Sequence, residues 1–136
     1  MNNYNVVAAV VCHNDKYLCM QKGKTKFEYT SYKWEFPGGK IEPGETPQQA
    51  LARELMEEME YPVEVGEELV TVNHEYPDFS ITMTAYLCTP KAEADGFKRR
   101  EHADSKWCSQ EELKWLDICL FYVENAIGNE KGEKWR

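Results

Sequence analysis

The sequence predicts an α/β fold on three observations. Residues 4–12, YNVVAAVVC, are an apolar, largely β-branched run of strand length. Residues 46–61 open with helix-start signals and continue with apolar positions at helical spacing, and residues 79–88 alternate between polar and apolar side chains. A chain of 136 residues can bury a full core without disulfide or metal staples, so residues 1–136 are read as one domain.

Taken in order, the run 4–12 is a buried strand, and His13, Asn14 and Asp15 turn it into a second strand over residues 16–21. Lys22 lies at the exit of that hairpin. Residues 23–31 form a polar loop whose conspicuous side chains are Lys24, Lys26, Phe27 and Tyr29, with the two aromatics as candidates for stacking on a base. Residues 32–36 are a short strand ended by Pro37. Gly38 and Gly39 are expected to turn the backbone tightly and expose main-chain groups with no side chain in the way.

The next helix has the clearest start in the chain. Thr46 is the cap, Pro47 the first helical residue, and Gln49 completes a capping box. Ala50, Leu51, Leu55 and Met59 supply its apolar side, and Pro62 requires it to end by residue 61. Residues 63–76 are one long strand or two short ones interrupted near Gly66, joined through Pro77 and Asp78 to the strand 79–88. On that strand Ser80, Thr82 and Thr84 share one face and Ile81, Met83 and Ala85 the other. Residues 91–100 are a charged loop, Ser109 and Glu112 make a second capping box around a short helix, and a last helix follows Asp117 with an apolar stripe of Leu120, Phe121, Val123, Ala126 and Ile127.

Composition narrows the function classes. The formal net charge of −8 at pH 7 disfavours binding of long nucleic acid, while leaving open a small phosphorylated ligand taken with divalent ions. Five cysteines, an odd number without a CxxC pair, argue against a disulfide framework and a structural zinc site, and point to a reducing, cytoplasmic setting. Neither a secretory signal nor a membrane-spanning run is expected.

The helix carries Glu54, Glu57 and Glu58 on one face behind Arg53. Like charges at that spacing repel, so a cation is the natural reason to keep them together. Carboxylates with a backbone carbonyl suit magnesium or manganese better than zinc. Arg53 can pair with Glu57 at i,i+4 and hold the carboxylates by bidentate bonds, with Glu45 as an outer carboxylate near it.

The stretch GGKIEPGETPQQALARELMEEMEY, residues 38–61, resembles the signature of the Nudix hydrolases. Gly39, Glu45, Arg53, Glu54, Leu55, Glu57, Glu58 and Tyr61 occupy its places, and WEFPGGKIEPGE, residues 34–45, resembles the MutT-like branch. Glu60 departs from it, standing where the pattern has its last glycine.

The resemblance implies an α/β/α sandwich with a mixed central sheet. It also implies hydrolysis of a nucleoside triphosphate to the monophosphate and pyrophosphate, with CTP, dCTP or oxidised deoxynucleotides as the substrate class. ADP-ribose hydrolysis and a non-catalytic nucleotide sensor are the alternatives. Glu54, Glu57, Glu58, Glu101 and the Gly38 carbonyl would hold Mg2+, or Mn2+ in its place. Arg53 joins them in the catalytic set, and Glu54 or Glu101 would accept the proton. Asp104 competes with Glu101 for its place. Lys22, Lys40, Phe36 and Asp117 are the substrate-binding positions, Asp117 toward the base. The expected partner is a small nucleotide, with no membrane and no polymer, for a monomer or homodimer.

Overall fold

The computed structural model describes residues 2–26, 28, 31–100 and 102–115. Its strands are β1 (Asn2–His13), β2 (Lys16–Lys22), β3 (Trp34–Glu35), β4 (Gly38–Lys40), β5 (Val63–Glu75), β6 (Phe79–Pro90) and β7 (His102–Cys108). Helix α1 spans Pro47–Met59, and a 3-10 turn spans Glu112–Trp115. The strands run in the order β3-β2-β1-β6-β5, with β4 paired to β1 and β7 to β2. The sheet is mixed: β1 and β6 are parallel, while the other pairs are antiparallel.

Asn14 and Asp15 both have positive φ, 53° and 62°, which is the backbone of the tight two-residue turn that matches strand twist. Beyond that turn β2 leaves β1 after the pairs Cys12↔Tyr17 and His13↔Lys16. β4 takes the vacated edge, with Val7 opposite Gly39 and Ala8 opposite Gly38. The expected tight turn at the glycine pair is therefore a strand, and neither glycine has positive φ. Glycine is required there for space. A Cβ on Gly38 would overlap the Val7 carbonyl, and one on Gly39 would overlap the Glu54 carboxylate.

Because β1 alternates, Val7, Ala9 and Val11 face α1, whose Ala50, Leu51, Leu55 and Met59 are 0% exposed. Burying each leucine contributes about 2 kcal/mol. Ala8 and Val10 face the other side, with Met83 and Ala85 of β6, Phe36, Cys108 and Leu113. The expected alternation on β6 is thus observed. The helix expected on this second side falls outside the described residues, as do Phe27, Tyr29, Glu101 and Asp117.

Both expected capping boxes form. Gln49 N–H donates to Thr46 Oγ1 at 3.1 Å, and Thr46 N–H to Gln49 Oε1 at 3.0 Å. Glu112 N–H donates to Ser109 Oγ at 3.1 Å, and Ser109 N–H to Glu112 Oε1 at 2.7 Å. β5 is continuous, with its register shifting between Val65 and Val70, next to Gly66. The strand expected over 32–36 shortens to two residues because Tyr32 is left-handed, at φ 60°.

Candidate active site

Arg53 is the hub of a carboxylate cluster at the junction of α1 and β4. Its Nε donates to Glu45 Oε2 at 2.5 Å and its Nη2 to Glu45 Oε1 at 2.9 Å, a bidentate clamp. Nη1 donates to Glu54 at 3.0 Å and to Glu57 at 3.1 Å, and Nη2 also reaches the Lys40 carbonyl at 3.1 Å. Glu42 lies at 3.7 Å. One guanidinium thus ties three segments together: the turn after β4, the strand itself and the helix face.

The electrostatics follow from the clamp. Its hydrogen bonds from Arg53, helped by the Glu42 N–H, hold the Glu45 carboxyl below the usual carboxylate range. The same hydrogen bonds to Glu45 push the Arg53 guanidinium further up, so its charge is fixed. Glu54 is 14% exposed, with its carboxylate pressed against Gly39, whereas Glu57 is 61% exposed. Glu58 is half-buried, on the same helix face.

Among the described residues, no group of three His, Cys, Asp or Glu stands ready to hold a metal ion. Arg53 occupies the space between Glu45, Glu54 and Glu57. The donor chemistry nonetheless fits a hard divalent cation: carboxylates clustered beside a glycine strand in which a Cβ on Gly39 would fill the gap to Glu54.

The residues expected to bind substrate have different surroundings. Lys22, at the end of β2, pairs with Glu35 at 3.5 Å, and Glu35 also meets His102 Nε2 at 3.3 Å. Lys40 is exposed, its ammonium 4.2 Å from the centre of the Tyr4 ring. Phe36, expected at the substrate, is packed in the core at 3% exposure, because Glu35 and Phe36 alternate across the sheet and Glu35 takes the half-open side. Asp104, the competitor of Glu101, is engaged by Arg99 at 3.4 Å and caps the Ser105 N–H at 2.8 Å.

Sequence reasoning missed an aromatic group at one end of the sheet. Tyr4 meets Phe79 edge-on at 5.9 Å, Phe79 lies 4.8 Å from Tyr76, and Tyr76 lies 4.5 Å from His74. The alternation of His74 and Tyr76 before the turn was a readable signal for part of it. Tyr4 joins only through the long-range register of β1 with β6.

A mixed sheet, a capped helix bearing a carboxylate cluster and a glycine strand beside it are the setting in which the comparisons with known proteins are read. Residues 3–122 match the NUDIX domain family, and the chain belongs to it. It is 41% identical over 87 residues to the 8-oxo-dGTP diphosphatase of Proteus vulgaris, covering 62% of this chain and 75% of that one. It is 33% identical over 124 residues to the CTP pyrophosphohydrolase of Escherichia coli, covering 82% and 80%. The solution structure of a MutT protein of the Nudix hydrolase family from methicillin-resistant Staphylococcus aureus superimposes with a TM-score of 0.69 at 35% identity, over 93% of this chain and 95% of that one. These relatives place the chain in the MutT-like branch.

Proposed function

We propose that this Nudix hydrolase cleaves a nucleoside triphosphate, drawn from CTP, dCTP and the oxidised deoxynucleotides, to the monophosphate and pyrophosphate. The Arg53 cluster is the observation that carries the reading, because one guanidinium holds Glu54, which lies beside the glycine strand, together with Glu57. The named activities of the Proteus and Escherichia relatives support the substrate class. Among the described residues, no helix is long and apolar enough to cross a membrane.

Glu54, Glu57, Glu58, Glu101 and the Gly38 carbonyl would hold magnesium. When bound, it would neutralise the charge of the phosphates and acidify water. The residues do the rest. Glu54 or Glu101 accepts the proton of the water that attacks the β-phosphorus, and the bond from that phosphorus to the α-phosphate bridging oxygen breaks. The nucleoside monophosphate leaves with that oxygen, and pyrophosphate carries the oxygen of the water. Arg53 orients the carboxylates and stays charged throughout. In this reading Lys22 and Lys40 would meet the phosphates, and the rings of Tyr4, Tyr76 and Phe79 would take the base.

The test is pyrophosphate release from a panel of normal and oxidised nucleoside triphosphates and ADP-ribose, with magnesium and with excess chelator. Magnesium-dependent conversion of one triphosphate to its monophosphate is expected, falling by about 100-fold or more in Glu57→Gln. Turnover confined to ADP-ribose would replace the substrate class. Tight triphosphate binding without turnover would make the protein a sensor.

A further inference from the structure

β2 and β7 pair in regular register as far as Gln21↔Asp104, and the register then shifts so that Lys22 stands opposite His102. Ala103 is the extra residue. Unbroken pairing would set Ala103 against Lys22 and send the His102 side chain to the other face of the sheet, because a slip of one residue reverses the face. The bulge therefore re-aims His102 onto the face that carries Lys22. Glu35 reaches the same face from β3, since it pairs with Met20, and Met20 shares a face with Lys22. Polar side chains from three strands thus meet at one point of the sheet.

Their contacts run inward from solvent. Lys22 Nζ lies 3.5 Å from Glu35 Oε1, and Glu35 Oε2 lies 3.3 Å from His102 Nε2. The Lys22 and Glu35 side chains are 34% and 31% exposed, while that of His102 is 6% exposed. A carboxylate only accepts, so His102 Nε2 carries the hydrogen of this contact. The Nδ1 of the same ring is buried with no hydrogen-bond partner among the described residues. Enclosing an imidazole with one nitrogen unpaired is unfavourable, and an apolar side chain would fill the space without that penalty. What histidine supplies here is the Nε2–H, and its acceptor is Glu35.

We propose that His102 is a positioning residue for Lys22, acting through Glu35, and that the pair prepares the Lys22 ammonium for the phosphates of the substrate. The assignment rests on the reading of Lys22 as a phosphate-binding residue. A lysine side chain loses much rotamer freedom when its ammonium is fixed. Glu35 fixes it in advance, and His102 fixes the carboxylate, which has one oxygen for each partner. The ammonium has three donors, so a bond to Glu35 leaves two for phosphate oxygens. Ordering Lys22 is then done by the fold and no longer weakens binding. His102 touches neither substrate nor metal in this scheme.

The experiment measures, by calorimetry with magnesium, the dissociation constant of an α,β-methylene nucleoside triphosphate, whose bridge resists hydrolysis. Steady-state kcat and KM for the preferred triphosphate are measured beside it. The variants are His102→Leu, His102→Gln, Glu35→Ala and Lys22→Ala, with Lys22→Ala also combined with His102→Leu and with Glu35→Ala. Lys22→Ala is expected to weaken binding by about tenfold or more. His102→Leu and Glu35→Ala are each expected to weaken it by about fivefold, with KM rising alike and kcat within about twofold. His102→Gln keeps a donor for Glu35 and is expected to bind within about twofold of the wild type. In the Lys22→Ala background neither second substitution should weaken binding further. An equal loss with and without Lys22 would overturn the proposal, as would unchanged binding in Glu35→Ala or a fall in kcat at constant KM. Should His102→Leu fail to fold, the cycle of the half-exposed Glu35 with Lys22 and the rescue by His102→Gln still decide. Wild-type binding in Lys22→Ala would remove the phosphate reading of Lys22 and the proposal with it. Absence of turnover on every triphosphate would remove the hydrolase reading alone, because the binding comparison needs no turnover.

Discussion

The two ends of α1 are closed by different kinds of interaction. At the N-terminal end Thr46, Pro47 and Gln49 satisfy the first orphan amides by bonds within four residues. At the C-terminal end Glu60 takes a left-handed turn, its N–H bonds back to the Met56 carbonyl at 3.0 Å, and its side chain is met by cations from the loop before β7. The first end is built locally and fixes where the helix begins. The second is built from a distance and ties the helix to another part of the sheet. The carboxylates of the candidate site lie between them, so their orientation depends on a local rule on one side and a tertiary contact on the other.

The sharpest way to break the arrangement is through the glycine strand that Glu54 faces. In Gly39→Ala the new methyl would sit 2.6 Å from Glu54 Oε2, and the far end of a glutamate can move aside. The fold is expected to survive with little change in the unfolding midpoint, while hydrolysis falls by about 100-fold because a proposed ligand is displaced by about 1 Å. Gly38→Ala is the contrast, since its methyl would strike the backbone of Val7, and this variant is expected to lose soluble, folded protein. Gly23→Ala, with nothing within 4 Å of the new methyl, is the control. Full activity in a folded Gly39→Ala would show that Glu54 need not stand where it does.

A smaller effect is expected on acidification. Glu45 has its folded pKa depressed below the ordinary value of 4.5 by Arg53, so the pair contributes stability that is fully present above that value and lost as pH falls through the folded pKa. Thermal unfolding between pH 3 and pH 7 should therefore fall off less steeply in Glu45→Gln than in the wild type. Parallel profiles for the two proteins would mean that Arg53 draws no net stability from the clamp.

Most of what rests on near neighbours in the chain was legible in the sequence, the left-handed Tyr32 that shortens β3 excepted. The Thr46 cap, the stripe of Ala50, Leu51, Leu55 and Met59, the Arg53–Glu57 pair and the hairpin at Pro77–Asp78 all follow from spacing, and each is present. What the sequence withheld depends on pairings between distant segments. Gly38 and Gly39 looked like a turn because nothing in their own neighbourhood shows that β2 leaves β1 and opens an edge for them. Lys40 looked like a phosphate ligand alone because its place over Tyr4 requires the β1–β4 register. Glu35 with His102, and Glu60 with Arg100, needed the same kind of knowledge. Only the departure of Glu60 from the family pattern marked the spot in advance.

The same contrast predicts unequal costs when each end is replaced by its commonest alternative. Thr46→Ala removes the cap bond to the Gln49 N–H and is expected to cost about 1 kcal/mol in urea unfolding. Glu60→Gly acts on two opposed terms. Glycine relieves about 1 kcal/mol of left-handed strain, while the two lost ion pairs are surface pairs, with Glu60 37% exposed and Lys98 and Arg100 more so, together worth up to about 1 kcal/mol. The greater freedom of glycine in the unfolded chain adds a little to the loss. The net change should stay within about 0.5 kcal/mol, even though the loop contact is gone. A gain of more than about 1 kcal/mol would mean the ion pairs hold nothing, and a loss of more than about 2 kcal/mol would make them a main support of the fold. Near-zero net change with faster amide hydrogen exchange at residues 97–100 would separate the two: a residue retained at this helix end for where it places the loop, at no gain in global stability.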